Sequence, residues 1–173
     1  MQEVCFDLND RSALSKKSTD WVFSEDFDHE KFAFDMINYM KTENGIGLAA
    51  NQIGIDKKVF CMGSENIINF PLPFVLFNPC ILEYSEETTI DKEGCLSYPG
   101  LFLSIKRPKW VVVEYQDYNG IKHRYKATDY ASKCVQHEYD HLNGKCFVDI
   151  VSPLKLKLAK NKLRKNQKYG RAK

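Results

Sequence analysis

Apolar and polar positions repeat along this chain with two different periods. After Asp28, the residues Ala33, Met36, Ile37 and Met40 fall at i, i+3, i+4 and i+7, the spacing of a helix that buries one face. Asn44-Gly45 then supplies a C-terminal stop. KKVFCMG and FVLFNPCILEYS are rich in aromatic and β-branched residues and predict strands. WVVVEYQDYNGIKHRYKATDY predicts a hairpin, because Asn119-Gly120 suits the positive backbone angles of a tight turn. Thr128 or Asp129 can cap a further helix that carries QHEYDHL and stops near Asn143-Gly144. Pro153 can open a last helix. The first twenty residues carry no clean period and are expected to be irregular.

A helix in the N-terminal half, several antiparallel strands, then helices give an α+β fold. The expected arrangement is antiparallel sheet packed around a central helix bearing HExxH, with a C-terminal helix at the end. At 173 residues the chain has the size of one domain, and no repeat or Pro/Gly-rich linker marks a second. Residues 1–153 are expected to form the catalytic body, and 154–173 a basic helix or tail of the same domain.

Composition changes this picture in two places. The longest apolar run, around FPLPFVLF, is too short to span a membrane. With MQEVCFDLNDRS lacking a signal-peptide core, the expectation is a cytoplasmic protein without membrane contact. Charge is uneven beneath a net value of +2. The stretch Lys155–Lys173 holds nine of the 25 basic residues and no acid, leaving 16 basic against 23 acidic elsewhere. A mildly acidic body therefore ends in a strongly basic segment.

Candidate chemistry begins with His137-Glu138-Tyr139-Asp140-His141. Two histidines four apart on a helix face the same way and can bind a divalent metal, with the glutamate handling protons. A zincin-type protease would add a third ligand downstream, but no His or Glu follows His141. The third ligand must come from upstream. There, Cys95 in EGCLSYPG offers a thiolate from an expected loop at a strand edge. The other cysteines (Cys5, Cys61, Cys80, Cys134 and Cys146) are expected to be small buried residues in a reducing compartment. A third stretch, GIGLAANQIG, has glycines that permit close backbone approach, and Gln52 brings an uncharged hydrogen-bond donor.

GIGLAANQ, EGCLS and QHEYDHL, in that order and roughly forty residues apart, resemble the three signature motifs of the peptide deformylase family. The strands between them and the VDIVSPLK segment resemble its bacterial type. The resemblance implies Cys95, His137 and His141 as ligands of Fe(2+), with Zn2+ or Ni2+ able to replace it, and water in the fourth position. It implies hydrolysis of the formyl group from N-formylmethionyl nascent peptides, with release of formate. Glu138 would move the proton. The Gln52 side chain and the Leu96 N–H would stabilise the oxyanion. Ile46 and Gly47 would pair with the extended peptide, and Cys134 would line the methionine pocket. Asp140 would pair with Arg107 in support of the ligands. Because bacterial relatives dock on the ribosome by a C-terminal helix, Lys155–Lys173 is expected to do the same.

Departures bear on selectivity rather than on the reaction. Asp91, Tyr130 and Lys133 stand where many relatives carry aliphatic residues, and Phe102 where some carry arginine. The N-terminal segment also lacks a clear PDxRLR-like stretch. Two rivals are a different HExxH metallohydrolase and a non-catalytic RNA-binding module using the basic tail. EGCLS counts against the first, and retention of Glu138 with all three ligands counts against the second.

Overall fold

Asp28 starts the first helix by accepting a hydrogen bond from the Lys31 N–H at 2.8 Å, one of the donors a helix leaves unpaired. In the computed structural model, which describes residues 6–10 and 12–170, this helix, α1, runs His29–Thr42. It stops where Asn44 takes a left-handed φ of 58° and the Gly45 N–H returns to the Met40 carbonyl at 2.8 Å. Phe32, Ala33, Met36 and Met40 form its buried stripe. Met36 and Met40 are fully enclosed, each worth about 1.5–3 kcal/mol of burial.

Five antiparallel strands follow: β1 (Gly47–Ala49), β2 (Val59–Met62), β3 (Phe74–Tyr84), β6 (Trp110–Gln116) and β7 (Lys122–Thr128). They hydrogen-bond in the order β1-β2-β3-β6-β7. A separate hairpin joins β4 (Thr88–Cys95) to β5 (Tyr98–Pro108). Side chains alternate across the sheet. Val59, Cys61, Val75 and Phe77 pack toward α1. Phe60, Met62, Leu76, Val111 and Val113 pack toward α2 (Asp129–Leu142), meeting Ala131, Cys134, Val135 and Leu142. All four residues of β2 are therefore buried. A third cluster joins Leu101, Leu103 and Ile105 of β5 to Phe147 and Val148 of α3 (Phe147–Ile150). Onto it α4 (Pro153–Gly170) lays Leu156, Ala159 and Leu163, and the Lys155 ammonium donates to the Ser104 carbonyl.

The α+β expectation holds, with three local corrections. The β6–β7 turn is built by Asp117, whose carboxylate accepts from the Asn119 and Ile121 N–H groups at 2.9 and 3.0 Å. Only Gly120 there adopts a positive φ, 77°, so a three-residue loop replaces the expected Asn-Gly turn. Neither Thr128 nor Asp129 caps α2 through its side chain. Instead Asp129 takes φ 50° and its N–H donates to the Lys109 carbonyl at 2.8 Å, while Ser132 and Gln136 donate to the Pro108 carbonyl. The β5–β6 corner thus fixes where this helix begins. Among the cysteines, Cys61, Cys134 and Cys146 are buried, but Cys80 is exposed. Cys5 lies outside the described residues.

Candidate metal centre and substrate cleft

Helix α2 lies between the five-stranded sheet and the β4–β5 hairpin, which is why its polar residues are covered. His137, Glu138 and His141 are buried. Cys95 sits at the end of β4, and two residues turn the chain into β5, where Tyr98 pairs with it. The expected loop at a strand edge is the end of a hairpin strand. It brings the Cys95 Sγ to 3.3 Å from His141 Nε2, which is 3.2 Å from His137 Nε2. The three donor atoms lie within 4.8 Å of one another. Forty-two sequence positions separate Cys95 from the first histidine, and the fold closes that gap.

Each donor is aimed by a neighbour. His137 Nδ1 lies 3.0 Å from Glu93 Oε2, turning Nε2 inward. Glu93 is gripped by Arg107, with Nε at 2.6 Å and Nη2 at 3.0 Å, and the same guanidinium donates to Asp140 at 2.7 Å. The Arg107–Asp140 contact named from sequence is present, but Glu93 is the residue through which it reaches a ligand. Asn51 donates to the His141 carbonyl, and the Cys146 sulfur lies 3.8 Å from His141 Nδ1. Such partners orient ligands and set their basicity.

Gln52 is equally constrained. Its Oε1 accepts from the Ala49 N–H at 2.8 Å, so its Nε2 faces Ser97 Oγ at 3.0 Å and Cys95 Sγ at 3.4 Å. Gly47 packs so closely that a Cβ there would lie 2.3 Å from Glu138 Oε1 and 2.8 Å from Cys134 Sγ. No side chain fits at that position. Glu138 is 4% exposed, and its Oε2 has no hydrogen-bond partner among the described residues.

Electrostatics single out the same point. Burial pushes the Glu138 carboxyl up to about 7, against the pull of His137 and with help from Glu93. Burial disfavours the charged His137, yet hydrogen bonds to Cys95 and Glu93 and the charge of Glu138 hold its pKa at about 10. Burial and the charge on His137 keep His141 well below the usual range, so it is a neutral donor. A cysteine sulfur, two imidazoles and nearby carboxylates thus converge on one buried point, which suits a divalent cation.

A cleft of about 450 Å³ opens above this point, lined among others by Ile46, Gly47, Leu96, Tyr130, Lys133 and Cys134. Phe102 also lines it and lies over Gly94. Asp91 does not line the cleft; it pairs with Lys133. Glu93, Ser97, Asn51 and Cys146 are the contributors that motif reading missed. A usable signal existed for Glu93 alone: it stands two residues before Cys95 on a strand, hence on the same face.

Comparison with known proteins points one way. Residues 5–157 match the family model of polypeptide deformylase. Peptide deformylase 1 of Nostoc sp. is 46% identical over 117 residues, covering 68% of this chain and 63% of that protein. The peptide deformylase of Borreliella burgdorferi is 39% identical over 163 residues, covering 94% of this chain and 95% of that one. The crystal structure of peptide deformylase from Ehrlichia chaffeensis superposes with a TM-score of 0.79 at 34% identity, over 93% of this chain and 94% of that one. That of Synechococcus elongatus in complex with actinonin gives 0.80 at 37%, over 94% and 89%. No described helix is long and apolar enough to cross a membrane. With its motifs assembled around one buried point, this chain belongs to the polypeptide deformylase family.

Proposed function

We propose that this protein hydrolyses the formyl group from the N-terminal formylmethionine of newly made polypeptides, in the cytoplasm, with Fe(2+) as its metal. The observation that carries the reading is the convergence of Cys95, His137 and His141 on one point, at the base of a cleft that Glu138 and Gln52 also line. Cys95, His137 and His141 would hold a divalent cation, which when bound would supply Lewis acidity toward a water and the formyl oxygen. Zn2+ or Ni2+ fits the same donors.

The chain's own residues do the rest. Glu138 accepts a proton from the attacking water as its oxygen bonds to the formyl carbon. The Gln52 amide and the Leu96 N–H donate to the oxygen that gains negative charge. When the C–N bond breaks, Glu138 returns the proton to the peptide amine and formate leaves. β1 is an edge strand, so its outer side can accept the peptide as an added strand. The Ile46 carbonyl already accepts from the Gly63 N–H at 2.9 Å. Alternation along the strand therefore turns the backbone groups of Gly47 toward the peptide. Cys134, beside Ile46, borders the first side chain. Formate release from a formyl-Met peptide by anaerobically purified protein, with metal content measured in parallel, tests this. Actinonin, bound by the Synechococcus elongatus enzyme, should block it. Absence of formate release from metal-loaded protein overturns the proposal.

For the basic segment the partner is the ribosome, whose phosphate-rich surface suits the lysines of α4. Because Leu156, Ala159 and Leu163 pack on the body, deleting the helix would expose that cluster. Reversing charge at exposed Lys157, Lys160, Lys162 and Lys165 is the cleaner test. Salt-sensitive co-sedimentation with ribosomes should disappear while the rate on a short peptide stays. Unchanged co-sedimentation would reduce the segment to a structural helix.

A further inference from the structure

Strand β4 is turned inside out with respect to polarity. Ile90 on its outer face is 64% exposed, while Thr89, Asp91, Glu93 and Cys95 share the inner face. Opposite them, Lys133, His137 and His141 form an i, i+4, i+8 stripe on α2. The two rows meet rung by rung. Lys133 pairs with Asp91, His137 with Glu93 at 3.0 Å, and His141 with Cys95 at 3.3 Å. The match has a geometric cause: two residues of strand advance about 6.6 Å and four residues of helix about 6.0 Å. Across three rungs the mismatch therefore accumulates to only about 1.2 Å.

Only two of these rungs touch the expected metal ligands. The outer rung still has the features of a built contact. The Lys133 side chain is 12% exposed, unusual for lysine unless it is paired. Its partner Asp91 is steadied by Thr89, whose hydroxyl donates at 2.9 Å to the same oxygen that Lys133 binds. At the other end of the helix, Arg107 ties Asp140 to Glu93. Lys133 and Asp140 are two turns apart, about 10.5 Å along the axis. The β5–β6 corner already fixes where α2 begins, and these two ion pairs add direct ties between the helix and the β4–β5 hairpin, one on each side of the histidines.

We infer that Asp91 and Lys133 are a positioning pair, which fixes α2 on β4 and so holds the two imidazoles at their working distance from the Cys95 sulfur. The inference rests on the reading of Cys95, His137 and His141 as metal ligands. The Asp91 side chain is 43% exposed, and an ion pair so open to solvent contributes little to stability, so the pair's effect belongs to the geometry of the centre. It reaches the reaction only through His137, His141 and Cys95.

The test uses the full-length protein loaded with Co2+, whose absorption reports the geometry around the thiolate and imidazoles. Lys133→Met removes the charge and keeps most of the stem, Asp91→Asn is nearly isosteric, and Lys133→Arg retains the pair. Loss of cobalt to a chelator should accelerate about tenfold in the first two, the lower end of what outer partners of ligands contribute, and their ligand-field bands should shift. Lys133→Arg should stay within about twofold of the parent. The Asp91→Asn/Lys133→Met double variant should be no worse than either single one, because the partners act together. If Lys133→Met does not fold, Asp91→Asn carries the test. Parent-like cobalt loss and spectra in that variant, or additive losses in the double one, overturn the inference and leave Lys133 as cleft wall only. Parent protein that takes up no cobalt overturns the metal reading and this inference with it.

Discussion

Helices α1 and α2 have the same length, 14 residues, and each buries one face against the same sheet. What they bury differs. α1 presents Phe32, Ala33, Met36 and Met40, and its place is secured by apolar area. α2 presents Ser132, Gln136, His137, Glu138 and His141 as well as Ala131, Cys134, Val135 and Leu142. Polar groups taken from water cost free energy unless partnered, and here nearly every one has a partner on β4, β5 or the 3-10 turn Ala50–Ile53. The exception is one oxygen of Glu138. The helix that fills space can be altered at the expense of stability alone, whereas α2 holds an unsatisfied carboxylate oxygen at the point where the proposed reaction moves a proton.

Four measurements would break or sharpen that contrast. The largest effect is expected for Glu138→Gln, which keeps size and ligands but removes the base. kcat should fall by about a hundred- to ten-thousandfold with metal content unchanged, and a variant above roughly a tenth of the parent rate would move the proton work elsewhere. Met40→Ala addresses the other helix. It should lower unfolding free energy by about 2–5 kcal/mol in denaturant titrations, with kcat per folded molecule unchanged; a matching loss of kcat would erase the distinction between the helices. Glu93→Gln should weaken metal retention or activity by about ten- to a hundredfold, read by chelator competition, because His137 loses the carboxylate that aims it.

The smallest effect is a pH dependence of stability in the metal-free protein. The His137 pKa is raised from its ordinary 6.5 to about 10. Its stabilising contribution is therefore complete below 6.5 and is lost as pH rises toward 10. Glu138, raised from 4.5 to about 7, adds a loss of its own that begins at lower pH and is half complete at about pH 7. The melting temperature of metal-free protein should fall between about pH 7 and 10. The metal-loaded protein should not follow, since the cation replaces the proton. Parallel curves would mean that His137 is not protonated in the empty centre.

Much of this was legible in the residues, for identifiable reasons. α1, β2, β3, the β6–β7 hairpin and α4 announce themselves because their apolar periods coincide with their buried faces. His137, His141, Glu138, Cys95 and Gln52 stand out because their motifs are short and local. The β4–β5 hairpin escaped because β4 reverses the usual code, turning Ile90 to solvent and Asp91 and Glu93 inward. A hydrophobic pattern read alone places such a strand the wrong way round. Glu93 and Asn51 escaped for a second reason: their importance lies in contacts 44 and 90 residues away. The start of α2 was misjudged because Pro108 and Lys109, rather than a capping side chain, anchor it.

The burial of all four β2 residues, shared between the α1 and α2 layers, has a dynamic consequence. Neither layer can open without stripping apolar surface from the other, so the β2 amides should exchange with solvent only through global unfolding. β1 is hydrogen-bonded along its whole length to that strand, at Gly47, Leu48 and Ala49. That edge is thus held by a strand buried along its whole length. On the proposed reading, a nascent chain laid along β1 would give up its own conformational freedom without also having to order the surface that receives it.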